Sequence, residues 1–159
     1  MRVAVTGTPG TGKTTATELV ETDLDVIHLN DVVRSEGLDS GTDTERDALV
    51  ADIDAIEAWL GDREDLLVES HLAHQLSVDR VVVLRCHPAA LESRLQERGE
   101  PDPKVEENAE SEALDVVLTE AVETHGLDAV YEIDTTDRSP EEVAREIEAV
   151  LAGEREPSA

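Results

Sequence analysis

The string G-T-P-G-T-G-K-T occupies Gly7 to Thr14, directly behind the short apolar run Val3-Ala4-Val5. Glycines there let the backbone turn tightly, and a helix opening on Lys13 aims unpaired N–H groups and its positive dipole end into the turn. A strand, this spacing and then a helix make the phosphate-binding loop G-x-x-x-x-G-K-[ST], a unit of α/β architecture. In that loop the lysine reaches the β- and γ-phosphates of a nucleoside triphosphate, and the following hydroxyl is placed on Mg²⁺. Lys13 and Thr14 hold those positions.

The rest of the chain repeats the alternation. Apolar runs predict strands over 3–6, 25–29, 65–70, 81–84 and 129–133. Helical spacing predicts helices over 13–21, from Asp31 as cap to Gly37, after a Thr44/Asp47 capping pair through Leu49, Ile53, Ile56 and Leu60, from Pro88 to the Gly99-Pro101-Pro103 break, over 104–125 with Leu114, Val117, Leu118 and Val122 on one side, and over 140–151. Residues 38–44 read as a loop. Five strands alternating with helices predict one α/β domain over 1–152, a parallel sheet covered on both faces, with a frayed tail at 153–159. The segments 28–51 and 97–107 fit the sheet poorly and read as coverings over a ligand.

Composition narrows the class. The formal net charge is -26, from 39 acidic and 13 basic residues spread along the chain, and only Lys13 and Lys104 are lysines. Acids interleaved with regular apolar periodicity fit adaptation to high salt, where self-repulsion is screened. Without a basic patch there is no broad grip on nucleic acid. Cys86 is the only cysteine, so no intrachain disulfide can form. No apolar stretch approaches membrane-spanning length and no signal peptide precedes the loop, so the expected location is the cytoplasm.

In parallel sheets ligands bind beyond the carboxyl ends of the strands. Glu69, leaving the third predicted strand there, is a candidate to hold Mg²⁺, usually through water. His71, two residues on, would share its side if the strand continued and could then orient water or a phosphate; a helix-capping or exposed His fits equally well. Arg94 and Arg98 are four apart on one helix face, and Arg98 precedes the Gly-Pro break, where it can ride a closing lid; the spacing alone fits a solvated face equally well. Arg34, after the second strand, can face an acceptor across the cleft or lie on plain surface.

The loop, Asp31 to Arg34, Glu69 to His71, Val82 to Arg85, the R-L-Q-E-R-G string from Arg94 to Gly99, and Lys104 to Asn108 with Glu112 together resemble the small adenylate kinase family that also serves in ribosome assembly, in its archaeal form. The likeness spans about residues 2–151 and implies a nucleoside monophosphate kinase fold with sheet order 2-3-1-4-5. It implies reversible phosphoryl transfer from ATP to AMP with Mg²⁺, some ATP hydrolysis, and a ribosomal protein as partner during small-subunit maturation. By position, Gly10, Thr11, Gly12, Lys13, Thr14 and Thr15 would bind ATP. Region 28–51 would take the monophosphate, with Arg34 on it and Asp31 in the same stretch. Region 97–107 would be the lid, with Arg98 on ATP. Glu69 and His71 fall on the family's D-x-H motif, with Glu in place of Asp, and Pro101 and Pro103 would stiffen the lid. Lys13, Arg98, Glu69 and His71 would form the catalytic set. Two other readings fit the loop: an ATP-switched assembly factor with little kinase activity, and a P-loop kinase of a small metabolite.

Overall fold

The computed structural model describes residues 1–43 and 48–157. In chain order its regular elements are β1 (Arg2–Gly7), α1 (Lys13–Glu18), β2 (Asp25–His28), α2 (Leu29–Glu36), β3 (Asp39–Asp43), β4 (Ala48–Ala51), α3 (Ile53–Leu60), β5 (Leu66–Glu69), β6 (Arg80–Arg85), α4 (Pro88–Glu97), α5 (Asp102–Ala113), α6 (Val116–His125), β7 (Val130–Asp134) and α7 (Pro140–Leu151). Five strands form a sheet in the order β2-β5-β1-β6-β7, every pair parallel. Counted among themselves these strands run 2-3-1-4-5, the expected order.

The sheet is buried on both faces because the middles of its central strands, Val3-Ala4-Val5, Leu66-Leu67-Val68 and Val81 to Leu84, are apolar without interruption. Side chains alternate across a strand, so Ala4, Val68, Val81 and Val83 meet Leu29 and Val33 of α2, Ile56 and Leu60 of α3, and Val117 and Ala121 of α6. Val3, Val5, Leu67, Val82 and Leu84 point the other way, onto Ala16 of α1 and Val143, Ile147 and Val150 of α7. Burying each Val or Leu stabilises the fold by about 1.5–3 kcal/mol, which lets a core with no Phe hold together. Leu91 and Leu95 of α4 pack with Val105 of α5 and Cys86 in a separate cluster under the phosphate-binding loop.

Several local expectations are corrected. Residues 39–43 are not loop but β3, paired antiparallel with β4. Leu49 therefore belongs to a strand. The third helix starts later, at Ile53, with Asp52 as its cap accepting the Ala55 N–H at 3.1 Å; Thr44 and Asp47 lie outside the described residues. Asp31 does not cap α2: it sits in the first turn, behind the cap residue His28. Helix α1 ends at Glu18, after which Leu19 and Val20 make tighter i→i+3 bonds to Ala16 and Thr17. The helix expected over 104–125 is two helices. Asp115 adopts φ 54°, a left-handed conformation that Asp tolerates better than most residues, and its carboxylate pairs with Arg85. The break turns Leu114 out to 66% exposure, away from the apolar side expected for it.

Segment 97–107 comprises the end of α4, a turn with Gly99 at φ 78°, and the first turns of α5, where Pro101 is the cap residue and Pro103 sits in the first turn. Beyond α7, the Arg155 guanidinium reaches Glu146 and, at 2.6 Å, the Glu132 carbonyl.

Candidate active site

The loop after β1 wraps an open cavity of about 790 Å³. Its curvature depends on glycine at two positions. A Cβ on Gly7 would sit 2.6 Å from the Leu84 carbonyl oxygen, and one on Gly10 would sit 2.8 Å from Leu91 and 2.9 Å from Leu95. Gly10 also has φ 97°, which L side chains rarely adopt.

Lys13 opens α1 inside this curve. Its ammonium donates to the Thr8 carbonyl at 3.2 Å, and that carbonyl also accepts from the Thr11 hydroxyl at 2.8 Å. Burial pushes the Lys13 pKa down to about 8, with Arg98 adding to the fall and Glu69 and Glu112 opposing it. The Thr14 hydroxyl donates to Glu69 Oε1 at 2.9 Å. The same oxygen accepts from His28 Nδ1 at 2.9 Å; a carboxylate only accepts, so that nitrogen carries the proton. Glu69 is 3% exposed at the carboxyl end of β5, beside the loop.

His71 also lines the cavity. Burial first, then the charge of Lys13 and the neighbouring His74, hold its pKa near 4, so it is neutral at pH 7. Gly10, Thr11, Gly12, Lys13, Thr14 and Thr15 all line the cavity, as do Asn30, Arg94, Arg98, Thr135 and Arg138. The two α4 arginines differ. Arg94 is a brace, donating to the Gly10 carbonyl at 3.4 Å and to the Thr135 carbonyl at 3.0 Å. Arg98 is 57% exposed, with a loose 3.8 Å ion pair to Glu100.

Lys13, Thr14, Glu69, His71 and Arg98 are thus brought together. Arg34 and Asp31 are not: both are exposed on α2 and neither lines the cavity. The sequence reading gave no individual site role to His28, Asn30, Thr135, Arg138, Thr8 or Glu112. His28 ends β2 as Glu69 ends β5, so the rule of strand carboxyl ends could have found it. Arg138 stands in the loop leaving β7, open to the same rule. Thr8 is an unspecified loop position, and Glu112 enters the sequence reading only through the family resemblance, although it follows Val105 and Ala109 at helical spacing on the buried side of α5.

The donor set fits Mg²⁺, a hard cation that takes oxygen ligands and keeps most of its shell in water and phosphate. The Thr14 hydroxyl and Glu69 carboxylate already meet at one point, and among the described residues no larger His/Cys/Asp/Glu cluster forms a self-sufficient cage.

Residues 3–115 match the AAA domain family. A protein of Natronomonas pharaonis named "Putative adenylate kinase" is 68% identical over 99% of this chain and 94% of its own length. Proteins of the same name in Halobacterium salinarum and Methanothermobacter thermautotrophicus are 62% and 47% identical, covering 100% and 96% of this chain and 95% and 91% of theirs. The solved structure of shikimate kinase from Bacteroides thetaiotaomicron superposes with a TM-score of 0.54 at 16% identity, over 96% of this chain and 98% of that one. At that identity the likeness speaks for the fold alone. The chain belongs to the family of these archaeal proteins named for adenylate kinase, built on the phosphate-binding-loop AAA domain.

Proposed function

We propose that the protein is a nucleoside monophosphate kinase that moves the terminal phosphoryl group of ATP to AMP, reversibly. The observation that carries this reading is one cavity in which Lys13 and Thr14 of the loop face Glu69, His71 and Arg98. Backbone N–H groups of residues 10–15 and the Lys13 ammonium bind the triphosphate. Thr14 and Glu69 would hold Mg²⁺, Glu69 through water; when bound, the ion neutralises charge on the phosphate oxygens. Arg98, loosely paired, closes over the transferring group. Neutral His71 orients water or an acceptor oxygen. Region 28–51 takes the monophosphate, and its closure brings Arg34 to the acceptor phosphate with Asp31 alongside. Catalysis is positioning and electrostatics, with no covalent intermediate.

Residues 1–152 act as the kinase domain, in the cytoplasm, with 97–107 as lid and 153–159 as tail. Slow ATP hydrolysis and a part in small ribosomal subunit maturation belong to the same proposal; a surface of net charge -26 suits a basic ribosomal protein and also suits high salt. Names carried by the archaeal relatives support the kinase reading over a metabolite kinase.

An acceptor panel in molar salt tests it. ADP formation is expected to rise to about 1–100 s⁻¹ with AMP, and to stay at a slow hydrolytic rate with shikimate or no acceptor. Hydrolysis indifferent to every monophosphate would instead favour an ATP-driven switch.

The Lys13 titration gives a second test. A triphosphate adds negative charge beside the ammonium and restores its proton. At about pH 9, where Lys13 is mostly neutral in the unliganded protein and ATP carries no titratable proton, ATP binding should take up nearly one proton. Calorimetry in two buffers of different ionisation heat measures this, and uptake should vanish in Lys13→Arg. Zero uptake in the wild-type protein, with ATP bound, contradicts a Lys13 that is neutral in the empty loop and charged on the phosphates.

A further inference from the structure

Glu112 lies on α5, outside the loop and the cavity lining, yet it is 3% exposed and one of its carboxylate oxygens reaches into the phosphate-binding loop. Its Oε1 accepts from the Thr8 hydroxyl at 2.9 Å. Its Oε2 accepts from the Cys86 N–H at 2.7 Å and from Arg85 Nε at 3.0 Å. A buried carboxylate with three donors is fixed in place, since losing any one leaves a charge under-solvated. Arg85 completes the fixture, with its other nitrogens on the Glu112 carbonyl, Glu132 and Asp115. The last of these contacts stands at the left-handed break that ends α5.

Thr8 is the hinge of the arrangement. Its hydroxyl belongs to Glu112, while its carbonyl holds the Lys13 ammonium at 3.2 Å and the Thr11 hydroxyl at 2.8 Å. One residue therefore carries the position of α5 into the position of the phosphate-binding lysine. The carboxylate also acts on that lysine at a distance, favouring its charged form.

We propose that Glu112 is a positioning residue for triphosphate binding: acting through the Thr8 hydroxyl, it ties the helix that follows the lid turn to the loop and sets where Lys13 stands. The inference rests on the loop binding a nucleoside triphosphate, as in the proposed function, but not on which acceptor is used. Movement of α5 with the turn at 98–101 is then transmitted to the loop by a hydrogen bond rather than by general packing.

The test is calorimetric titration, in molar salt, of an ATP analogue with a non-hydrolysable β–γ bridge. Thr8→Val keeps the volume and removes only the donor, so the dissociation constant should rise about tenfold, the scale of losing one hydrogen bond to a charged group. Thr8→Ser restores the donor and should bind within about twofold of wild type. Glu112→Gln should weaken binding, and combining it with Thr8→Val should cost no more than the worse single change. In turnover assays the Thr8→Val defect should appear in KM for ATP and leave KM for AMP unchanged, a split that loss of general stability does not produce. Wild-type affinity in Thr8→Val overturns the proposal, as does simple additivity in the double variant. Should Glu112→Gln fail to fold, the Thr8→Val and Thr8→Ser pair decides alone. If the analogue binds the wild-type protein but AMP is no acceptor, the acceptor reading fails while this one is still measured.

Discussion

Lys13→Met is expected to lower phosphoryl transfer by about a thousandfold or more, on the scale of removing a charge-stabilising group from a transferring phosphate, and at the same time to raise the melting temperature. Methionine keeps the unbranched stem inside the loop and deletes only the ammonium. The sign of the stability change follows from linkage. The lysine pKa falls from 10.5 when exposed to about 8 in the fold, so between those values the unfolded chain holds more protons and folding improves as pH rises. Below about pH 8 both states are protonated, and the folded protein carries the whole cost of a desolvated ammonium. Deleting the charge should recover up to about 3 kcal/mol at pH 7. Coupled turnover and thermal denaturation in the same buffer check both halves. A variant that keeps wild-type turnover would sink the site assignment; one that is inactive because it no longer folds would show that the ammonium stabilises the empty loop through Thr8.

Transfer from molar to millimolar salt should unfold the protein, the largest stability effect expected from any change of conditions. The formal net charge is -26. Arg2 and Arg85 are already engaged with carbonyls or carboxylates inside the structure, as are Arg94 and Arg155, and cannot be redeployed to the surface. The remaining acids repel one another over the Debye length, about 3 Å at 1 M and about 30 Å at 0.01 M. Stability should fall continuously with dilution and recover when salt is restored, as followed by circular dichroism. A melting temperature unchanged between about 3 M and 0.01 M NaCl would remove salt dependence as a property of this surface. All acceptor assays should therefore be run in molar salt, since a silent assay in dilute buffer would report unfolding.

The parts of the fold legible in the sequence are those with a local physical cause. The five sheet strands, the loop and α7 follow from apolar runs, glycine spacing and helical spacing of apolar residues, and the structure adds a Ser139–Glu142 capping box at the start of α7. Strand β3 is not legible because D-S-G-T-D is mostly Asp, Ser and Gly, residues that favour turns, with Thr42 its one β-branched member; its pairing with β4 comes from the partner more than from its own composition. The break at Asp115 was missed because its cause lies far away in sequence, in the Arg85 guanidinium that gathers Glu112 and Asp115. The candidate site divides the same way. Lys13, Thr14 and Glu69 announce themselves by motif and strand end. The contact between Thr8 and Glu112 becomes visible only when tertiary structure brings residues 104 positions apart to 2.9 Å.

The central place of β1 also governs the order in which this molecule can come into being. Its hydrogen-bonded neighbours are β5 and β6, and β2 pairs only with β5. N-terminal to Leu66, then, the chain holds two strands of the main sheet with no partner in each other. On a nascent chain the nucleotide loop hangs from an unpaired strand until the segment that ends in Glu69 arrives to complete it. The Glu69 carboxylate and the strand that anchors the loop are delivered together, so a chain cut short before Leu66 lacks both.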